Sequence, residues 1–208
     1  MSANETKPSE VNFELNMSFD MLRENQWSRV LDALWGYGHI SGPFSSAAST
    51  EDEDLSITTI QYPAPTATYT QPGYLSLGEK VVGIHVLVTR SLFECISVTV
   101  AANALDENLA DNQSTFLKVD TSAVEVMEDT FKRLALYLYE AAPFEIATIG
   151  WNRDCQLLAE LASDEKARLR LFETGGFLAQ GTVLDRLGAD EGDFEEVLPG
   201  LWWMPSRQ

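Results

Sequence analysis

Twice along this chain a short stretch of extended-strand character gives way, across a serine, to an apolar stripe of helical period. In residues 11–17, Val11, Phe13, Leu15 and Met17 point one way and Asn12, Glu14 and Asn16 the other. That period of two is the mark of a half-buried strand. Ser18 then stands where a helix N-cap would, and Trp27, Val30, Leu31, Leu34 and Trp35 follow at i, i+3, i+4, i+7 and i+8. One face of such a helix is apolar, and it must be buried against a sheet or another helix. Gly36 and Gly38 end the pattern. The second copy reads 116–119 as strand and Ser122 to Glu125 as a capping box. Its helix runs to Ala141, with Val124, Met127, Phe131, Leu134, Ala135 and Leu138 on its apolar face.

Between the two units the chain is rich in strand formers. Residues 55–62 alternate until Pro63 and Pro65 stop them. Residues 66–77 carry Pro72-Gly73 and read as a short, irregular hairpin. Residues 81–89 and 93–101, rich in Val and Ile, read as the central hairpin of an antiparallel sheet. Residues 144–151 return as a strand after the second helix. The resulting order β-α-β-β-α-β is that of a ferredoxin-like split βαβ plait with extra strands. The fold class expected is therefore α+β, a mainly antiparallel sheet with helices packed on one face.

After Trp151 the pattern changes. Residues 153–162 and 164–172 read as helices with Ser163 between them as a cap, Gly175-Gly176 breaks the run, and 177–187 reads as another short helix. Residues 197–204 contain Pro199-Gly200 and end in Leu201-Trp202-Trp203-Met204, a final strand. The organisation expected is a disordered tail over 1–10 and one domain over 11–208. That domain divides into a plait-like core, 11–151, and a helical appendage with a last strand, 152–208. Some 55 residues with so small a core would not stand alone.

Charge constrains partners more than fold. Lys and Arg total 14 against 32 Asp and Glu, a net charge of −18. Such a chain repels phosphate backbones and anionic membrane surfaces, whose binding depends on Lys and Arg contacts. Nucleic acid and membrane are thus excluded as expected partners, and a basic protein is favoured. The excess also serves solubility or a high-salt habitat, which the nine Arg against five Lys would fit. No apolar run approaches the roughly 18–20 residues of a membrane span, and the first ten residues lack the basic and apolar regions of a secretion signal. Cys95 and Cys155 form no CxxC pair. A single disulfide is open to them, but without an export signal they are expected as buried free thiols in a cytoplasmic protein.

No catalytic or cofactor signature emerges. His39 follows a turn and His85 points away from Ile84 and Val86, and neither has a nucleophile near it in sequence. Two histidines and two cysteines so scattered give no zinc spacing. The loop from Asp106 lacks the glycine and closing glutamate of an EF-hand, and the glycines form neither GxGxxG nor a P-loop. Neither metal nor cofactor is expected.

The function expected is a non-catalytic acidic binding module, an inhibitor or immunity-type protein that engages a basic partner. Its contact residues would be the acidic runs Glu51, Asp52, Glu53, Asp54 and Asp190, Glu191, Asp193, Glu195, Glu196, together with Trp202 and Trp203. Adjacent strand residues point to opposite faces, so both tryptophans are buried only if their strand is covered on both sides. Two alternatives stand beside this reading. One is a small-ligand binder or enzyme with a pocket between sheet and helices, the other a structural or assembly subunit.

Overall fold

The computed structural model describes residues 11–20, 22–44, 58–60, 62, 64, 66–91, 93–105, 121–189 and 191–207. The tail expected over 1–10, the acidic residues 51–54 and the strand expected over 116–119 lie outside them.

The first alternation becomes strand β1 (Asn12–Phe19), with Phe13, Leu15, Met17 and Phe19 buried. It runs past Ser18, which therefore does not cap the helix. Ser18 faces the other side of the sheet and donates its hydroxyl to the Gln156 carbonyl. Helix α1 (Glu24–Gly36) starts instead at Arg23, whose backbone N–H donates to the Gln26 side chain. All five residues of its expected stripe are buried. Next come β2 (Ile40–Ser41), β3 (Thr68–Leu77), β4 (Lys80–Arg90), β5 (Glu94–Ala101) and a single turn of helix, α2 (Ala102–Leu105). Helix α3 (Thr121–Ala141) buries Met127, Phe131, Leu134, Ala135 and Leu138, and leads to β6 (Ile146–Trp151). Last come α4 (Leu158–Ser163), α5 (Glu165–Thr174), β7 (Phe177–Gln180), α6 (Gly181–Leu187), a 3₁₀ turn at Glu191–Asp193, β8 (Glu195–Leu198) and β9 (Leu201–Met204). No helix among the described residues is long and apolar enough to cross a membrane.

The strands form one sheet in the order β2-β3-β4-β5-β1-β6-β7-β9-β8, antiparallel at every pairing. The central hairpin is as expected, β4 beside β5 with His85 opposite Thr99. The irregular hairpin expected over 66–77 is not there. Pro72 and Gly73 sit inside the straight strand β3, opposite His85 and Ile84, and the turn falls at Gly78-Glu79. Two local facts explain this. β2 pairs only with Tyr74 and Leu75, and beside Pro72 the neighbouring segment meets only its carbonyl, through the Phe44 N–H at 3.0 Å, so among the described residues the missing N–H costs no ladder bond. Gly73 leaves room for the Trp35 ring, which a Cβ there would meet at 2.7 Å.

Helices cover both faces of the sheet, not one as expected. Helices α1 and α3 pack on the face carrying Phe13, Leu15, Met17, Val86, Val98 and Ile149. On the other face Leu158, Leu161, Leu171, Val183 and Leu184 from α4, α5 and α6 pack on Ile146, Phe177 and Ala179. The C-terminal segment is also more than an appendage with one strand. Residues 177–187 split into β7 and α6, and Pro199-Gly200 turns a hairpin, so three strands join the sheet. The apolar run Phe177–Ala179 can extend because it is buried on both faces, where a continuous apolar stretch fits a strand as well as a helix.

The free thiols expected are a disulfide. Cys95 of β5 and Cys155 are bonded across a sequence separation of 60. Neither lies in a helix. Residues 152–157 form an irregular segment laid over the second face, and Cys95 sits opposite Ser18 in the register that carries it. Three buried polar side chains hold the same segment: Asn16 donates to the Arg153 carbonyl at 2.7 Å, Thr148 to that of Asp154 at 3.2 Å, and Ser18 to that of Gln156. Buried polar groups of this kind are retained where they meet partners.

Candidate functional site

Two places in the molecule carry more than packing. The first is the β8 end of the sheet. Asp193, Glu195 and Glu196 are exposed there, and Gly200 N–H donates to the Glu196 carboxylate at 2.9 Å. Asp190 lies outside the described residues, and Glu191 is placed in the 3₁₀ turn. Across from them, α3 presents Glu125, Glu128 and Asp129, spaced i, i+3 and i+4 and so on one side of the helix. They border a shallow cavity of about 290 Å³ together with Lys132, Trp203 and Ser206. Lys132 links the two elements. Its ammonium stands 3.8 Å from the Glu195 carboxylate and 5.0 Å from the centre of the Trp203 ring. Ser206 N–H donates to Glu128, and Arg207 pairs with Asp193 at 3.2 Å. Glu125, Glu128, Asp129 and Glu195 thus come to one side of the sheet from two segments far apart in sequence, while Glu196, opposite Trp202 in the register, faces the other side. Lys132, Arg133 and Arg207 only partly offset them.

The two tryptophans separate. Strand β9 is covered on both sides, and Trp203, 4% exposed, belongs to the core beneath Lys132. Trp202 points to the opposite face, half-buried against the α4–α6 core. Trp203 therefore supports the acidic end from below and offers no face to a partner. The α3 carboxylates were not singled out from the sequence. Their i, i+3, i+4 spacing opposite the apolar stripe was the available signal, but only the fold brings them beside β8.

The second place is a cavity of about 410 Å³ between the second face of the sheet and the helices α4 and α5. Thr148 and segment 152–156 form one wall, and Glu160, Arg170, Leu171 and Thr174 the other. Arg153 is its half-buried cation. The guanidinium donates to Thr174 Oγ1 at 2.7 Å and to the Gly175 carbonyl at 2.9 Å. Gly150 and Gly176 make the space for it, since a Cβ on either would meet this side chain at 2.9 and 3.3 Å. Burial, with the neighbouring Arg170 adding to it and Glu128 opposing, holds the Arg153 pKa below its ordinary value. Nearby on β1, burial chiefly, with Asp154 adding and the Asn16 hydrogen bond opposing, pushes the Glu14 carboxyl up.

His85 is exposed on β4, as its register implies, and His39 stacks against Tyr37 with ring centres 5.5 Å apart. Among the described residues no group of three or more His, Cys, Asp or Glu side chains gathers as a metal site. Comparison of the chain with protein-family models, with curated proteins and with solved structures finds no match.

Proposed function

We propose that this protein is a non-catalytic binding module whose acidic end, built from α3 and the β8 edge, engages a basic partner protein. The observation that supports this reading is that Glu125, Glu128 and Asp129 border one shallow cavity whose Lys132 also meets the Glu195 carboxylate. Charge gathered in this way steers a cationic partner and speeds its association. A partner that inserted a lysine or arginine between α3 and β8 would find carboxylates on both sides. Inhibition of a basic enzyme by occlusion is the activity that such a surface serves without catalytic groups of its own.

Within this reading the inner strands β6-β1-β5-β4 form the split βαβ plait. Their order, the antiparallel neighbours of β1, and the placing of α1 and α3 on one face support it. The Cys95–Cys155 bond stands against cytoplasmic residence, since disulfides are rare where thiols are kept reduced.

The test is a titration with a lysine/arginine-rich peptide at low and at physiological salt. Glu125→Lys with Glu195→Lys should weaken binding strongly. Glu79→Lys with Glu140→Lys, an equal change of net charge at exposed positions elsewhere, should weaken it little, because screening confines each charge to about 8 Å. Equal losses from both pairs would reduce the effect to net charge and overturn the proposal.

A further inference from the structure

Arg153 is a half-buried cation in a chain of net charge −18, and among the described residues it makes no ion pair. Among the described residues no carboxylate lies within 4.0 Å of its guanidinium or of that of Arg170, although acidic side chains outnumber basic ones throughout the molecule. Two of its donors are spent on Thr174 and Gly175. The rest have no protein acceptor among the described residues, and the side chain lines a cavity. Partly burying a guanidinium with no carboxylate in direct contact is costly, and Arg170 beside it adds to that cost, while Glu128 offsets it only at longer range. The structure nonetheless invests heavily in the position. Gly150 and Gly176 clear its path, and the segment that carries it is fastened by Asn16, Ser18, Thr148 and the disulfide. A half-buried guanidinium, held in place by its own hydrogen bonds and facing a cavity, is an arrangement that binds an oxyanion through charge-assisted, paired hydrogen bonds.

We propose that this cavity binds a small molecule through a single carboxylate or phosphate head group, seated on Arg153 with Arg170 as the second contact. Its volume, about 410 Å³, is that of a small-molecule site. The lining also restricts the ligand. Asp154 and Glu160 are exposed at the mouth. They repel a second negative charge, so polyanions are disfavoured and the far end of the ligand is neutral or cationic. Gln156 supplies a polar contact, and Leu171 an apolar one.

Calorimetric titration of the intact, oxidised protein with benzoate, phenyl phosphate and tripolyphosphate tests this. Benzoate or phenyl phosphate should bind at or below about 1 mM, a modest affinity of about 4 kcal/mol, and tripolyphosphate more weakly than either. Binding of one head group and not the other assigns the ligand class. Arg170→Gln, on an exposed helix face, leaves the fold in place and should weaken binding about tenfold. Arg153→Gln should abolish it, and Asp154→Asn with Glu160→Gln should strengthen it. Failure of both single-headed probes to bind at about 10 mM would overturn the proposal, as would equal affinity in the parent and Arg170→Gln.

Discussion

Removing the disulfide, by Cys95→Ala with Cys155→Ala, tests how much of the second layer depends on one covalent tie. The bond closes a loop with a sequence separation of 60. In the chain-entropy account a loop of that size restricts the unfolded ensemble by about 14 cal/mol/K, or about 4 kcal/mol at 25 °C. Unfolding in urea measures it. With a slope of roughly 2–3 kcal/mol per M for a chain of this size, the midpoint should fall by about 1.5–2 M. The native fold should survive, because Asn16, Ser18 and Thr148 still hold the carbonyls of segment 152–156. Hydrogen exchange should therefore quicken locally, at residues 153–157, more than in β1 or β6. A variant within about 1 kcal/mol of the parent would refute the reasoning. So would the appearance of two free thiols in the unreduced protein, which would also restore the cytoplasmic expectation.

Four further outcomes follow from particular contacts. Glu94 accepts hydrogen bonds from the Leu22 N–H and from Trp27 Nε1, so Glu94→Ala strands two inward donors and should cost about 2 kcal/mol in urea unfolding. Glu24→Ala, which removes only an exposed partner of Arg90, should cost about 0.5 kcal/mol. Glu14 has a folded-state pKa raised above its ordinary 4.5, so the folded protein binds its proton more tightly than the unfolded chain does. Its ionisation therefore lowers stability as pH rises above that ordinary value. The stability of Glu14→Gln relative to the parent should climb through that window and then level off, and a flat difference across a urea series in pH would contradict this. Gly175 adopts φ +63°, and a Cβ there would fall 2.1 Å from the Pro205 carbonyl. Gly175→Ala should lower stability by more than about 2 kcal/mol and disturb the Arg153 contact, read by thermal unfolding.

The sequence speaks clearly where one period governs one face. β1, α1 and α3 bury the residues their patterns assign, apart from the partly buried Val11 and Val124 at the starts of the patterns, because a single core accounts for each stripe. It speaks poorly where a segment is buried on both sides. Residues 177–179 are apolar without alternation, and period alone cannot separate such a run from helix. Pro72-Gly73 misleads because its two residues answer to a missing strand neighbour and to the Trp35 ring, neither of them local. The acidic end was half legible. Asp193, Glu195 and Glu196 stand in a visible run, whereas Glu125, Glu128 and Asp129 come beside Glu195 only because Lys132 of α3 lies over Trp203 of β9. Arg153 carried no signal, because the glycines and polar side chains that place it come from β1, β6 and the approach to β7.

One cross-strand row explains why the cavity lies where it does. On the second face Phe177, Thr148, Asn16, Ser97 and Leu87 lie side by side across β7, β6, β1, β5 and β4. Phe177 is apolar and lies under α5. Thr148, Asn16 and Ser97 are polar and buried, and two of them are satisfied by segment 152–156 in place of a helix. The helical layer must stop where the row turns polar, since an apolar helix face set over Thr148 and Asn16 would leave their hydrogen-bonding groups unmet. An irregular segment can offer its carbonyls there, and a helix cannot, because its own are already engaged. The junction between the last helix and that segment is therefore imperfectly filled, and Arg153, carried by the segment, reaches into the gap. Replacing Thr148 by Val should then do more than weaken the fold by about 1–3 kcal/mol. It should release the Asp154 carbonyl and loosen the segment, so that any oxyanion affinity of the cavity falls along with stability. A Thr148→Val protein with lowered stability but unchanged affinity would separate the two and show that Arg153 is held by Thr174 and Gly175 alone.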